Sequence, residues 1–308
     1  MGQKEQIRHI KIESTSQFHQ NLARRADFRY NIWKKPRQIL PGIAITEKGV
    51  KSLSLLHADV YSDVLGRGVH LDIVLPDGPA PEGGFATLFL LHGMTDDCTV
   101  WQRRTSIERY ADGKRMAVVM PGTDLCWYAN TAAGERYFDY IADELPRTCR
   151  RMLPGLTRLR ERSFVAGLSM GGYGALRCAL RRPDVFSRAA SLSGAVDVFQ
   201  LSRDPMPLGR PFCWEDVFGP RAEIPGSEHD LFRAAEQLTE NRPEIWMWCG
   251  TEDDLYPANL KLRDHLRGLG YALTYSEGPG DHQWEYWDRE IQNVLNWLAP
   301  GEEAMACR

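Results

Sequence analysis

At 308 residues, with 43% hydrophobic and 26% charged residues, nine Trp and 27 Gly, the chain has room for one large domain or two small ones, and its composition excludes whole-chain disorder, collagen and coiled coil. Its 38 Lys and Arg against 41 Asp and Glu leave a net charge of −3, too little to gather nucleic acid or an anionic membrane, so neither is expected as a partner. The charge is unevenly placed: residues 1–50 hold ten Lys/Arg and four Asp/Glu, a net +6, which leaves 28 basic and 37 acidic residues, a net −9, in the remainder.

The basic leader makes a poor secretory signal, because no apolar run follows Met1 and Lys4, Arg8 and Lys11 interrupt it. Phe28, Tyr30, Ile32 and Trp33 are too apolar for a simple tail, so residues 1–50 are expected to pack on the domain as an extension. A single domain is expected over 51–300, with a short tail at 301–308. No stretch reaches the ~18 apolar residues of a membrane-spanning helix. Seven scattered cysteines without a C-x-x-C pair fit free thiols in a reducing compartment, so a cytoplasmic protein is expected.

From residue 51 onward, apolar runs and helical periods alternate, the pattern of an α/β domain whose sheet is covered on both faces. Strands are predicted at 52–62 and 69–76, able to pair as a hairpin, then at 86–91, 116–120, 163–166, 189–192, 244–249 and 271–276. Helices are predicted at 99–110, 135–152, 170–180, 230–238, 257–269 and 284–298. The Pro- and Gly-rich stretch 198–227 is irregular and too short for a large helical cap. Arg150, Arg151, Arg158, Arg160 and Arg162 read as a solvated helix face and loop.

The most informative run is Gly167-Leu168-Ser169-Met170-Gly171-Gly172, a G-x-S-x-G sequence between a predicted strand and a predicted helix. A nucleophile on so tight a turn needs small neighbours, and the turn raises its hydroxyl above the carboxyl ends of the strands, where open α/β sheets bind ligands. A serine hydroxyl needs a base to take its proton and a third group to orient that base. In this topology the order is serine, acid, histidine. His282, in Gly280-Asp281-His282 between the last predicted strand and the last helix, stands where the base belongs. The acid should end the preceding strand, where Glu252, Asp253 and Asp254 are adjacent; Asp253 is placed first, and Asp197 after the strand at 189–192 is a further candidate.

The developing oxyanion needs two amide donors. Met170, following the nucleophile, is one candidate, and Met94, after Leu91-His92-Gly93, is the other. His92 reads as a structural histidine fixing that loop. Trp101, Trp127 and Tyr128 are candidate substrate contacts. No metal constellation, P-loop or dinucleotide fingerprint appears, so no metal and no cofactor are expected.

These motifs together resemble the esterase D-like family of α/β-hydrolases, closest to its tributyrin esterase branch. The likeness covers about residues 50–300. It is carried by Leu90-Leu91-His92-Gly93-Met94, Trp127-Tyr128-Ala129-Asn130 with Arg136-Tyr137-Phe138-Asp139-Tyr140-Ile141, the Ser169 elbow through Leu176, Cys249-Gly250-Thr251-Glu252-Asp253 and Gly278-Pro279-Gly280-Asp281-His282-Gln283-Trp284. It implies an α/β-hydrolase fold with a mostly parallel eight-stranded sheet and no large lid. It places Ser169, Asp253 and His282 in the triad and Met94 and Met170 in the oxyanion hole. It further implies a serine esterase for short-chain esters such as aryl and sugar acetates. A small-molecule ester is the expected partner, with a homo-oligomer left open. Two departures set the chain apart from formylglutathione hydrolases, which carry His where Tyr173 stands and a glycine-rich segment where residues 123–131 stand. The alternatives are acyl transfer to an alcohol or sugar, as in mycolyltransferases, and a thioesterase role. A binding scaffold without turnover would be expected to lack a triad member, and all three are present.

Overall fold

The computed structural model describes residues 53–206 and 212–298; the extension expected over 1–50, the tail over 301–308 and part of the irregular stretch expected over 198–227 lie outside them. The described chain opens on a hairpin of β1 (Leu53–Ser62) and β2 (Arg67–Pro76), in antiparallel register with Val60 opposite Val69. Then follow β3 (Ala86–Leu91), α1 (Val100–Arg104), α2 (Ile107–Ala111), β4 (Met116–Pro121), α3 (Tyr137–Asp139), a π-helical turn (Tyr140–Glu144) and α4 (Leu145–Met152). The second half contributes β5 (Ser163–Leu168), α5 (Met170–Arg181), β6 (Arg188–Leu192), α6 (Val198–Leu201), α7 (Trp214–Phe218), α8 (Leu231–Gln237), β7 (Glu244–Gly250), α9 (Tyr256–Gly268), β8 (Leu273–Gly278) and α10 (Trp284–Leu298).

All eight strands lie in one sheet, ordered β1-β2-β4-β3-β5-β6-β7-β8. β1, β2 and β4 run antiparallel, and the pairings from β4 through β8 are parallel. The central strands β3, β4 and β5 are buried along their whole length, as expected where helices cover both faces. Alternate side chains therefore feed two cores. Phe89, Leu91, Val119 and Val165 face one layer with Tyr173, Leu176 and Ile141. Leu88, Leu90, Val118 and Phe164 face the other with Trp101, Trp287 and Ile291. Burying each such side chain contributes roughly 1.5–3 kcal/mol before entropy opposes it.

The helix predicted over 99–110 is two helices, because Thr105 turns extended and its hydroxyl hydrogen-bonds both the Trp101 carbonyl and the Ile107 amide. β-Branched and hydroxyl side chains favour such breaks over helix interiors. The helix predicted over 135–152 begins at Tyr137 and widens into the π turn, from which Glu144 reaches the β1–β2 turn. Its carboxylate accepts from the Ser62 hydroxyl and from the Asp63 amide at 2.7 Å. The last strand starts at Leu273 rather than at 271, since Gly270 has φ +75° and Tyr271 turns inward, donating its hydroxyl to the Ala235 carbonyl. Between β6 and α8 the described residues form short helical pieces rather than a helical cap. Arg150, Arg158 and Arg160 line a groove of about 250 Å³ with Arg147 and Arg182, at the end of the sheet where β5 begins.

Candidate active site

The sheet dictates where the chemistry gathers. β3, β5, β7 and β8 are parallel, so the segments that follow them leave from the same edge. β5 ends at Leu168, and Ser169 occupies the turn into α5 with φ 52° and ψ −119°, a conformation costing about 1–3 kcal/mol that surrounding contacts must impose. Three hydrogen bonds do so: Ser169 N–H donates to the Leu192 carbonyl, and the Ser169 carbonyl accepts from Tyr173 and Ala195. The turn leaves no room beside it. A Cβ on Gly167 would lie 2.4 Å from the Gly171 carbonyl, and one on Gly171 would lie 2.6 Å from the carbonyl oxygens of Leu91 and His92.

His282 follows β8 and presents Nε2 at 2.9 Å from Ser169 Oγ, while its Nδ1 stands 2.8 Å from Asp253 Oδ2. The Asp253 side chain is buried, and its other oxygen accepts from the Leu255 amide at 2.8 Å. Burial alone would raise the Asp253 carboxyl; the hydrogen bond and charge of His282 and the Leu255 donor outweigh it and hold the group below the usual carboxylate range. The imidazole keeps partial access to solvent and packs edge-on against Trp287, ring centres 4.8 Å apart.

The other acid candidates take different work. Glu252 is exposed and accepts from the Gly280 amide, tying the loop after β7 to the loop that carries His282. Asp254 is exposed. Asp197 caps α6 through the Gln200 amide and pairs with Lys261 at 3.0 Å. Sequence spacing left four carboxyls open; only Asp253 reaches the imidazole.

The Met94 and Met170 amides, the expected oxyanion donors, have no acceptor among the described residues. Met170 opens α5, so the positive end of that helix adds to its amide. The loop of Met94 is held from below by His92. Burial keeps that imidazole neutral, and its Nδ1 donates to the Gly93 carbonyl at 2.7 Å while Nε2 accepts from the Thr123 amide at 3.0 Å. The structural role expected for His92 is what the geometry shows. Thr123, its partner, has no sequence signal beyond following β4.

Trp101, Trp127 and Tyr128, expected as substrate contacts, are instead buried, at 0%, 2% and 0% exposure. Their polar ends explain two of them: Trp101 donates its indole N–H to the Leu91 carbonyl at 3.1 Å, and Tyr128 donates its hydroxyl to the His92 carbonyl at 2.8 Å. Both brace the loop that carries Met94 from inside. Trp127 packs in an aromatic cluster with Tyr173, Trp214 and Phe218. Among the described residues no group of His, Cys, Asp or Glu is placed to hold a metal ion.

A mostly parallel sheet with a strained serine elbow, backed by histidine and a buried aspartate, defines an α/β-hydrolase. Comparison with known proteins narrows the class. The model of the Putative esterase family matches residues 62–298, and the chain belongs to that family, within the esterase D-like group its motifs resemble. An acetyl esterase from Caldicellulosiruptor saccharolyticus is 27% identical over 263 residues, covering 80% of this chain and 98% of its own. Diacylglycerol acyltransferase/mycolyltransferase Ag85B from Mycobacterium leprae is 26% identical over 277 residues, covering 78% and 81%. Among solved structures, the Staphylococcus aureus fluorophosphonate-binding serine hydrolase FphF superposes with TM-score 0.74 at 33% identity, over 80% of this chain and 98% of that one. The S-formylglutathione hydrolase FrmB from Staphylococcus aureus gives TM-score 0.73 at 32% identity, over 80% and 99%. The chain is a carboxylic ester hydrolase by this kinship.

Proposed function

We propose that the protein is a serine carboxylesterase for short-chain acyl esters, aryl, glyceryl or sugar acetates and butyrates, acting through Ser169, His282 and Asp253. The observation that carries the reading is the unbroken run of hydrogen bonds from Asp253 through His282 to Ser169 Oγ. His282 Nε2 takes the Ser169 proton as Oγ attacks the ester carbonyl. The tetrahedral oxyanion forms beside the Met94 and Met170 amides, which have no other acceptor to give up among the described residues. The imidazolium then protonates the departing alcohol, and water repeats the cycle to free the acid. Asp253 holds the imidazole tautomer and stabilises its charged form. The short helical pieces between β6 and α8 support an open, shallow acyl site. Six unpaired cysteines, Cys98, Cys126, Cys149, Cys178, Cys213 and Cys249, support a reducing, cytoplasmic setting.

The test is hydrolysis of p-nitrophenyl acetate, butyrate and octanoate by the wild type and Ser169→Ala. The expected result is fast acetate and butyrate turnover that the variant loses; equal rates for the two proteins, or a preference for octanoate, overturn the mechanism or the small pocket respectively. A second reading, transfer of the acyl group to an alcohol acceptor, is favoured by the mycolyltransferase relatives. It predicts a new ester, not free acid, as the main product when an alcohol is added.

A further inference from the structure

Three of the arginines that read in sequence as a solvated face converge instead on the groove at the far end of the sheet. Arg147 and Arg150 come from α4, Arg158 and Arg160 from the segment before β5, and Arg182 follows the last turn of α5; together they line a space of about 250 Å³. Only Asp143 and Asp184 oppose them there, so the groove carries a net +3, in a chain whose residues beyond 50 carry a net −9. β5 starts beside the groove at Ser163 and ends beside the nucleophile at Leu168, which sets groove and nucleophile roughly 20 Å apart.

Both aspartates are already taken. Asp184 accepts two hydrogen bonds from Arg182, at 2.8 and 2.9 Å, and Asp143 pairs with Arg182 at 3.1 Å and with Arg147. Arg150, Arg158 and Arg160 have no carboxylate partner among the described residues. Two of these three are nonetheless fixed in place. Arg150 donates to the Thr157 carbonyl and the Ser163 hydroxyl, each at 2.9 Å, and Arg160 donates to the Pro183 carbonyl and, at 2.8 Å, to the Asn241 carbonyl. Those bonds use Nε and Nη2 and leave Nη1 of each guanidinium without an acceptor among the described residues. Arg158 is exposed and makes no hydrogen bond or ion pair among the described residues. Burial, and after it the charge of Arg158, lowers the Arg150 guanidinium's hold on its proton, so the two cations stand close enough to repel. Cations gathered at fixed positions with spare donors are satisfied by an anion that brings several acceptors, and a tetrahedral oxoanion offers them in several directions at once.

We propose that this groove binds a phosphate dianion, free or as the phosphoryl group of a small phosphate monoester, between the Arg150, Arg158 and Arg160 guanidinium groups. The dianion brings the charge of the groove from +3 to about +1. A monoester finds room in the same space, which at about 250 Å³ exceeds a single phosphoryl group. The site needs neither Ser169 nor an ester, so it stands or falls independently of the esterase reading.

The test is isothermal titration of the full chain with sodium phosphate and with glycerol phosphate, at pH 7.5 and constant ionic strength set by sodium chloride. The wild type is expected to bind one phosphate with Kd of about 1 mM or tighter. Tighter binding of glycerol phosphate marks an organic phosphate as the ligand, and equal or weaker binding marks the free ion; either result supports the site. Arg158→Ala and Arg150→Gln are each expected to weaken binding by about tenfold or more. Arg151→Ala, which removes an exposed charge of α4 outside the groove, is expected to stay within about twofold of wild type. Should Arg150→Gln not fold, Arg158→Ala decides alone, because the Arg158 side chain holds nothing else in place. No heat of binding beyond that of chloride overturns the proposal. So does binding that survives Arg158→Ala, or that falls equally in Arg151→Ala, which marks a diffuse response to charge.

Discussion

Asp253 differs from the carboxyls beside it in burial and aim rather than in charge. Its side chain is fully buried, with one oxygen on His282 and the other on the Leu255 amide, whereas Glu252 and Asp254 face solvent. Asp253→Asn keeps the shape but offers an amide where the imidazole needs an acceptor. We expect kcat on p-nitrophenyl acetate to fall by about a thousandfold or more. Glu252→Gln and Asp254→Asn are expected to stay within about threefold of wild type, since surface carboxyls contribute little. A comparable loss in Asp254→Asn would move the acid to that residue. Because its folded-state affinity for protons is depressed, ionised Asp253 also stabilises the fold at neutral pH. That contribution is lost as acidification protonates the carboxylate.

At the scale of elements, the elbow between β5 and α5 depends on close backbone approach. Gly171 faces the carbonyl oxygens of Leu91 and His92, so a methyl group there must push β3 away from α5. Gly171→Ala is expected to lose about 2 kcal/mol or more of stability, read as a lower melting temperature, together with activity. An unchanged melting temperature would contradict the packing described. The glycines, the strand before them and the helix after them were legible in sequence, because short apolar runs and small residues leave a periodic signal. The break at Thr105 and the π turn at Tyr140–Glu144 were not, since each arises from a side chain bonding far outside its own helix or back onto it. The choice among four carboxyls was open for the same kind of reason: it depends on how the loop after β7 turns. Aromatic residues near a motif, such as Trp101 and Tyr128, carry no sequence mark that separates bracing a loop from touching a ligand.

Across the whole molecule, one sheet brings together residues separated by 113 and 29 positions in the chain. The segment between α7 and α8 is pinned to α5, the helix that follows Ser169, by a second buried cluster. Arg177 donates to His229 Nδ1 at 2.8 Å and to Glu228 at 2.7 Å, and Tyr173 donates to the His229 carbonyl. Burial, then the charges of Arg177 and Arg181, depress His229 from 6.5 to about 3. The unfolded chain therefore takes up a proton between these values that the folded chain refuses, and stability falls as pH drops through that window, by up to about 1.4 kcal/mol per pH unit. His229→Asn, which keeps an acceptor for Arg177, is expected to flatten the decline of melting temperature below pH 6.5. Parallel declines in the two proteins would show that another group dominates.

The central claim is that Ser169 is the nucleophile of a two-step acyl transfer, and trapping the acyl-enzyme tests it most directly. The protein is mixed with p-nitrophenyl acetate, quenched in acid within the first turnover, and its peptides are mapped by mass spectrometry. The account predicts an initial burst of p-nitrophenol matched by one acetyl group on Ser169, both lost in Ser169→Ala. Acetyl groups found on another residue, or undiminished turnover in Ser169→Ala, would contradict it.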